Sequence, residues 1–217
     1  MLNSQVNLVQ GISERPFIQG IYGTYQITED DEREVKRYRI SLLICAISLS
    51  TSIFSFILAK PIFAIIFEVI MAISLGLSLQ WIHIYIRPLH KALQILWAIG
   101  CVTIVGLYIY LGDTDVINKI TSEPQLSIAF GPLFAAFTGL GFKEFFCFRR
   151  PEAIGLTILL PTAIMGYIIE LFNQTTAITL MGIASLLLLI LAIRKFGTDP
   201  GMDIGDKSVF EYINKLN

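Results

Sequence analysis

Six long apolar segments, separated by short polar stretches, fill the chain between positions 40 and 193. Each is close to the ~20 residues that cross ~30 Å of hydrocarbon as a helix with a rise of 1.5 Å per residue. Segments of this length can satisfy their backbone hydrogen bonds in lipid only as helices. The pattern predicts an all-α membrane protein, a bundle of six transmembrane helices. The segments are 40–59, 61–86, 92–111, 126–146, 154–172 and 176–193.

Lysine and arginine residues are divided very unequally between the two sides of these segments. All but two of the 16 lie in the terminal stretches or in the connections between segments two and three and between segments four and five. The exceptions are Lys60 and Lys119. Cation-rich connections stay in the cytoplasm, so we predict that both termini are cytoplasmic. The domains are then a cytoplasmic tail (1–27), a six-helix transmembrane domain (28–195) and a second cytoplasmic tail (196–217).

The overall composition excludes a soluble globular protein. The chain is 54% hydrophobic and 15% charged, whereas soluble domains are about 25% charged. A net charge of −1 argues against a nucleic-acid partner. Residues 1–27 lack the features of a signal or transit peptide. Insertion by the first helix, as in a protein of the bacterial inner (plasma) membrane, is therefore expected, and the lipid bilayer is the first partner.

Both ends of the transmembrane domain carry local helix signals. Thr28 with Asp31 forms a capping box, followed by an acidic first turn, so the first helix is predicted to run from 28 to 59. The second tail begins with a flexible run at 197–201. Asp206 is predicted to cap a short amphipathic helix that places Val209, Phe210, Ile213 and Leu216 on one face.

Small residues predict which segments form the core of the bundle. Helices in lipid pack closely where small residues align on one face. Such faces occur in segment four (Gly131, Ala135 and Gly139), in segment five and in segment two. We therefore expect segments two, four and five at the core and the leucine-rich segment six against lipid.

Glu68 is the most informative polar residue, because it lies about 10 Å into segment two at 1.5 Å per residue. A carboxylate at this depth costs on the order of 2–3 kcal/mol even on a lenient scale, so we expect it to face the bundle interior, on the helix row that leads to Gln80. One interpretation is a site that binds a proton or a cation. The other is a neutral acid that is hydrogen-bonded to a neighbouring helix. Glu170 lies near the outer end of segment five, where its carboxylate can reach the membrane–water interface. The alternative is that it meets Glu68 in a two-carboxylate cation site. These three residues form the candidate intramembrane polar site.

The densest local feature is the stretch 139–153, where phenylalanines flank Lys143 and Glu144 and the pair Arg149 and Arg150 follows. One interpretation is a helix end with anchoring aromatic rings and snorkelling cations. The alternative is a docking surface for anionic lipid or an acidic partner.

No motif for catalysis, nucleotide binding or metal binding is present in the sequence. It contains no P-loop, no G-x-S-x-G and no H-E-x-x-H pattern. His83 and His90 lack metal-ligand spacing and are expected to be structural. The three cysteines lie in or beside apolar segments, where a thiol behaves as a small hydrophobic group. We expect no enzymatic activity, no cofactor and no metal.

Three stretches resemble a family of uncharacterised integral membrane proteins from cyanobacteria and plastids. They are YQITEDDEREVKRYR (25–39), FGPLFA (130–135) and FKEFFCFRRPEA (142–153). The resemblance covers most of the chain from about residue 20 onward. It implies a photosynthetic setting, which adds the thylakoid membrane as a location and a photosynthetic complex, or other membrane proteins, as partners. It implies no activity.

Two functions remain open on the sequence alone. The favoured one is a non-catalytic scaffold or assembly factor for a membrane complex. It rests on the charged first helix, the basic and aromatic stretch at 143–150 and the scarcity of ionisable groups inside the membrane. The alternative is a small transporter or a proton or cation pathway that uses Glu68 and Glu170.

Overall fold

The computed structural model of the protein describes residues 16–111, 116–209 and 212. Within them, six helices are long and apolar enough to cross a membrane, which confirms the predicted fold class. Five are single helices, and the fourth crossing runs from Pro124 to Phe148. The helices are α1 (Glu29–Ile57), α2 (Pro61–Trp81), α3 (Arg87–Leu111), α4 (Val116–Ser122), α5 (Gly131–Phe148), α6 (Pro151–Ile168), α7 (Gln174–Lys195) and α8 (Pro200–Ile204).

Three smaller features complete the described chain. A 3-10 helix (Pro124–Phe130) leads directly into α5 and forms the first part of the fourth crossing. Strands β1 (Ile18–Gln19) and β2 (Thr24–Tyr25) pair antiparallel before α1. Gly23 closes their turn with a φ of +147°, a conformation that glycine adopts without strain.

The start of α1 agrees with the sequence prediction. The Thr28 hydroxyl accepts a hydrogen bond from the Asp31 N–H at 3.2 Å, and the Thr28 N–H donates to the Asp31 carboxylate at 2.6 Å. Four acidic residues occupy the first turn, where the helix dipole favours negative charge. The capping box is therefore confirmed, and α1 ends at Ile57, close to the predicted end.

The second crossing is shorter than predicted, because α2 ends at Trp81 rather than at Ile86. The carbonyl of Leu79 in the last turn accepts from His90 Nε2 at 2.5 Å and from Gln94 Nε2 at 3.3 Å. These donors from α3 satisfy a carbonyl at the helix end, so α2 can stop there. In the connection to α3, Ile82 and Ile84 are buried.

The six crossings form a closed ring in the order α1, α2, α3, α5, α6, α7, with α7 packing back against α1. The most extensive contact is between α1 and α2. Because the number of crossings is even, the beginning of α1 and the end of α7 lie at the same end of the ring. This end carries most of the lysine and arginine residues, and we name it the cytoplasmic end; the opposite end is the outer end.

The predicted contrast between a lipid-facing segment six and a core segment two is wrong, because the two crossings are equally buried. α7 buries Ala184, Leu188, Leu191 and Ala192 completely. The most exposed crossing is α3. Only 17% of its most apolar stretch is buried inside the protein, against 33–39% in the other five crossings. In a ring every helix has one interior face, and the small residues Ala184 and Ala192 allow α7 to pack closely against its neighbours. A leucine run alone does not distinguish a lipid-facing helix from a ring member.

The two tails pack against each other at the cytoplasmic end. The backbone N–H of Ile21 donates to Asp206 Oδ2 at 2.7 Å, and that of Tyr22 donates to Ser208 Oγ at 3.0 Å. Asp206 Oδ1 accepts from the Ser208 N–H at 2.9 Å, and residues 207–209 are helical, as a cap at Asp206 predicts. The rest of the predicted amphipathic face (Phe210, Ile213 and Leu216) lies outside the described residues.

Candidate functional site

Glu68 lies on the face of α2 that packs toward α3. Its carboxyl interacts with the hydroxyl of Tyr108, near the outer end of α3. One turn along α2, the Ala72 carbonyl accepts a hydrogen bond from Trp97 Nε1 at 2.7 Å. Gly76, the next residue in the row, has no side chain, so the Trp97 ring fits directly against the α2 backbone. These contacts fix the face of α2 that carries Glu68.

A cavity of about 190 Å³ lies beside Glu68, in the outer half of the bundle. All six crossings contribute to its wall, together with α4 and the 3-10 helix. Most of the lining is apolar, with Leu49, Phe134 and Met181 from three different crossings. Among the described lining residues, Glu68 is the only one of a charged type, so its carboxyl faces no lysine, arginine or histidine across the cavity.

Two other polar groups in the wall are already engaged within the protein. Ser52 Oγ donates to the Ala64 carbonyl at 2.9 Å. The Tyr167 hydroxyl donates to the Ile120 carbonyl at 3.1 Å. Their engagement leaves the Glu68–Tyr108 pair as the strongest candidate in the cavity for contact with a polar or charged ligand.

Glu170 lies at the outer end of the bundle, exposed and with a φ of 59°. Its carboxylate accepts a hydrogen bond from Gln125 Nε2 at 2.6 Å. It lines a surface depression that shares Thr121, Tyr167 and Gln174 with the inner cavity. The structure therefore separates the two acids, with Glu68 lining the inner cavity and Glu170 lining the depression.

The predicted three-residue polar site is not assembled as one site. Glu68 and Glu170 line different spaces, so they do not form a two-carboxylate cation site. Gln80 is exposed near the cytoplasmic end of α2 and lines neither space. The helix row from Glu68 to Gln80 extends over three turns, and its two ends have different surroundings.

A second group of charged residues is buried at the cytoplasmic end of the ring. The carboxylate of Glu144, on α5, is fully buried and accepts hydrogen bonds from three side chains. The donors are Lys195 Nζ at 2.6 Å, the Tyr38 hydroxyl at 2.7 Å and Lys143 Nζ at 3.1 Å. Glu144 thus joins α5 to α1 and α7.

Asp203, on α8, extends this group into the C-terminal tail. Its Oδ1 lies 2.5 Å from Lys195 Nζ, and its Oδ2 accepts from Arg39 Nη2 at 2.6 Å. Arg39 also donates to the Asp199 carbonyl at 3.3 Å, just before α8. The cytoplasmic ion cluster is the set Arg39, Lys143, Glu144, Lys195 and Asp203, with Tyr38.

Aromatic rings line the apolar side of this cluster. Lys195 Nζ lies 4.2 Å from the centre of the Phe148 ring, and Lys143 Nζ lies 5.3 Å from it. Cations at these distances are attracted to the face of an aromatic ring. The cluster has three cations and two carboxylates, and the rings help to stabilise the additional positive charge.

The docking hypothesis for residues 143–150 needs a correction. Lys143, Glu144 and Arg150 are buried, so they are not available to a lipid headgroup or a partner protein. Arg149 is the exposed member, with a φ of 50° in the turn between α5 and α6. The tight turn directs Arg150 inward, 3.7 Å from Glu152, and Glu152 also pairs with Arg194 at 3.0 Å.

His83 and His90 are separate structural contacts rather than one site. His90 donates to the end of α2, as described above. His83 Nε2 lies 3.4 Å from a carboxylate oxygen of Glu34. Burial nevertheless lowers the pKa of His83 below its ordinary value, against the opposing effect of Glu34.

Four residues that organise these sites could not be identified from the sequence. Arg39 and Lys195 stand out there only as cations at the membrane boundary, and Asp203 follows a run that is expected to be flexible. Arg39 and Asp203 are 164 positions apart, so no local pattern could pair them. Tyr108 has the position of an interfacial aromatic residue, although it is the partner of Glu68.

Comparison with known proteins identifies the family. Residues 77–212 match the family model described as uncharacterized integral membrane protein (DUF2301). The chain belongs to this family. It is also 27% identical over 175 residues to an uncharacterized protein of Haemophilus influenzae, a match that covers 80% of this chain and 88% of the relative. No solved structure gives a significant match.

Membership confirms the resemblance and the integral membrane location. The Haemophilus influenzae relative indicates that similar chains are not confined to cyanobacteria and plastids. The choice between plasma and thylakoid membrane, and any protein partner, stay predictions.

Proposed function

We propose that the protein is a small-molecule transporter whose substrate site is the cavity beside Glu68. The observation that carries the proposal is the position of this cavity: it lies in the outer half of the ring, and every crossing contributes to its wall. Transporters commonly hold their substrate between helices that can rock against one another. A cavity shared by all six crossings is suited to this use.

The cytoplasmic half of the bundle supports the proposal because it is closed. Leu75, Leu140 and Leu188 are fully buried there. Beyond them, the cytoplasmic ion cluster ties α1, α5 and α7 to α8. A substrate could leave toward the cytoplasm only if this closure opened, and ion pairs can separate and form again without a change of fold. We propose that the cluster is the cytoplasmic gate.

The scaffold hypothesis has less support from the structure than from the sequence alone. It rests partly on the charged start of α1 and on the stretch 143–150 as surfaces for a partner. Asp31 at the start of α1 pairs with Lys207 at 2.7 Å, and Lys143, Glu144 and Arg150 are buried. The protein therefore uses much of this charge internally, and we propose a carrier without enzymatic activity instead.

Cysteine labelling tests the proposal without knowledge of the substrate. Ser52 lines the cavity and is replaced by cysteine in a Cys101→Ser, Cys147→Ser background; Cys45 is fully buried and is retained. A small cationic thiol reagent that does not cross the membrane, 2-(trimethylammonium)ethyl methanethiosulfonate, is applied to spheroplasts from outside and to inverted vesicles from the cytoplasmic side. We expect Ser52→Cys to be labelled from outside only, and Asp203→Asn to add labelling from the cytoplasmic side.

The matched control is Ile66→Cys, on the same helix as Glu68 but 48% exposed on the lipid-facing side. A thiol in lipid does not ionise and reacts slowly with a charged thiol reagent, so this variant should remain unlabelled from both sides. If Ser52→Cys is protected from both sides, with and without Asp203→Asn, the transporter proposal is wrong.

A further inference from the structure

The chemistry of the cavity wall restricts the ligand that it can hold. Glu68 supplies a carboxyl group, and the described lining residues supply no cation to neutralise it. A carboxylate without a cation partner is costly to bury, so the carboxyl group favours its neutral form until a cation is present. A ligand that carries one positive charge would remove this cost, whereas an anion would increase it.

Aromatic side chains form a second part of the recognition surface. Five of the lining residues are aromatic: Phe56, Tyr108, Phe130, Phe134 and Tyr167. Aromatic faces attract ammonium groups, and this attraction is stronger where water is excluded. The same rings also accommodate an apolar body. The wall therefore fits a molecule that joins a cationic group to a hydrocarbon.

The size of the cavity limits the part of a ligand that it can enclose. Its volume is about 190 Å³, whereas an apolar cavity of about 150 Å³ holds benzene. A single aromatic ring with a short aminoalkyl group is of suitable size. Larger lipophilic cations with several rings would not be enclosed by the cavity.

The surface depression offers an approach for such a cation. Glu170 lies exposed in it, and Thr121, Tyr167 and Gln174 belong both to the depression and to the cavity. A negative group at the entrance raises the local concentration of cations. The two acids thus act in sequence, Glu170 at the entrance and Glu68 at the site.

We infer that the ligand of this cavity is a small organic ammonium ion with an apolar body. That the ion is also carried across the membrane rests on the proposed function; its binding beside Glu68 does not. Tyr108 positions the Glu68 carboxyl, and the ammonium group lies between this carboxyl and the aromatic rings.

Calorimetric titration of the protein in lipid nanodiscs, with empty nanodiscs subtracted, tests the inference. The probes are 2-phenylethylammonium, its uncharged analogue 2-phenylethanol and the anion phenylacetate. We expect the ammonium ion to bind most tightly and phenylacetate not to bind. Glu68→Gln should weaken binding of the ammonium ion by about tenfold or more and leave binding of 2-phenylethanol unchanged, which also shows that the variant is folded.

Two further variants separate the roles of the acids. Glu170→Gln should slow association of the ammonium ion at low salt, with little effect at high salt. Asp30→Asn makes the same charge change at the cytoplasmic end, outside both spaces, and should have no effect. Any of three results would overturn the inference. They are equal binding of the ammonium ion and the alcohol, unchanged ammonium binding in Glu68→Gln, and no binding of any probe.

Uptake into proteoliposomes distinguishes this inference from the proposed function. Binding of 2-phenylethylammonium without its uptake would support the inferred ligand class and refute the proposal that the protein is a transporter. Labelling of Ser52→Cys from outside without binding of the ammonium probe would retain an accessible cavity and refute the ligand class.

Discussion

Lys195 Nζ lies 2.6 Å from a carboxylate oxygen of Glu144, and both side chains are fully buried. Lys195 is the last residue of α7, and Glu144 lies near the end of α5. The pair therefore connects two crossings at the point where each reaches the cytoplasmic end. Because Asp203 also contacts Lys195, the same ammonium group holds the C-terminal tail against the ring.

Replacing Lys195 by methionine should destabilise the protein strongly. The substitution retains much of the side-chain volume but leaves Glu144 and Asp203 with fewer compensating cations. Removing one partner of a buried ion pair costs about 3–5 kcal/mol. The free energy of unfolding, measured by reversible denaturation in mixed micelles, should fall by this order.

Arg33→Met is the control for an exposed ion pair. Arg33 pairs with Glu29 and Asp30, and its side chain is 63% exposed. Exposed pairs contribute at most about 1 kcal/mol, so this variant should be close to wild type. Equal losses of stability in Arg33→Met and Lys195→Met would contradict a structural role for the buried cluster.

Replacing Asp203 by asparagine should loosen the C-terminal tail without unfolding the bundle. The variant removes the charge that Arg39 and Lys195 share. Hydrogen exchange of the backbone at 200–205 should become about tenfold faster, equivalent to about 1.4 kcal/mol. Mass spectrometry of peptides from this region gives the measurement. Asp30→Asn, at an exposed pair, is the control. Unchanged protection in Asp203→Asn would show that the ion pairs of Asp203 do not hold α8 against the ring.

Those features that depend on local sequence could be predicted. The six crossings follow from the length of the apolar segments, and the start of α1 follows from Thr28 and Asp31, three positions apart. In both cases the deciding interactions lie within one helix, where composition and spacing determine the outcome.

The features that depend on packing between distant segments could not be predicted. Lys143 and Glu144 have the composition of an interfacial surface, yet they are buried because Tyr38 and Lys195 approach them from other helices. The leucines of segment six predict a lipid-facing helix, although the closed ring gives α7 an interior face. A single sequence contains no direct record of these neighbours.

His83 should make the stability of the protein dependent on pH. Burial lowers its pKa in the folded protein below the ordinary value of 6.5, so the unfolded chain binds a proton more readily. Stability should therefore decrease as the pH falls below about 6.5. Thermal unfolding at several pH values between about 5 and 8, a range around the ordinary pKa of histidine, measures the effect.

His83→Gln is the matched variant for this prediction, because glutamine retains polar atoms without titrating in this range. The decrease in stability below a pH of about 6.5 should be smaller than in the wild type. Charges that face His83 include Glu34 and Asp203, which favour its protonation, and Lys143, which opposes it. An identical pH profile for His83→Gln and the wild type would assign the dependence to other groups.

Orientation in the membrane provides the last test, because the names of the two ends depend on it. Lys60 lies between α1 and α2, at the outer end, and Lys91 lies in the first turns of α3, at the cytoplasmic end; both are exposed. In the Cys101→Ser, Cys147→Ser background, an impermeant maleimide applied to intact spheroplasts should label Lys60→Cys and not Lys91→Cys, since cation-rich connections remain inside. Inverted vesicles should give the reverse result. Labelling of Lys91→Cys from outside would reverse the assignment of the ends, and the gate would then face outward.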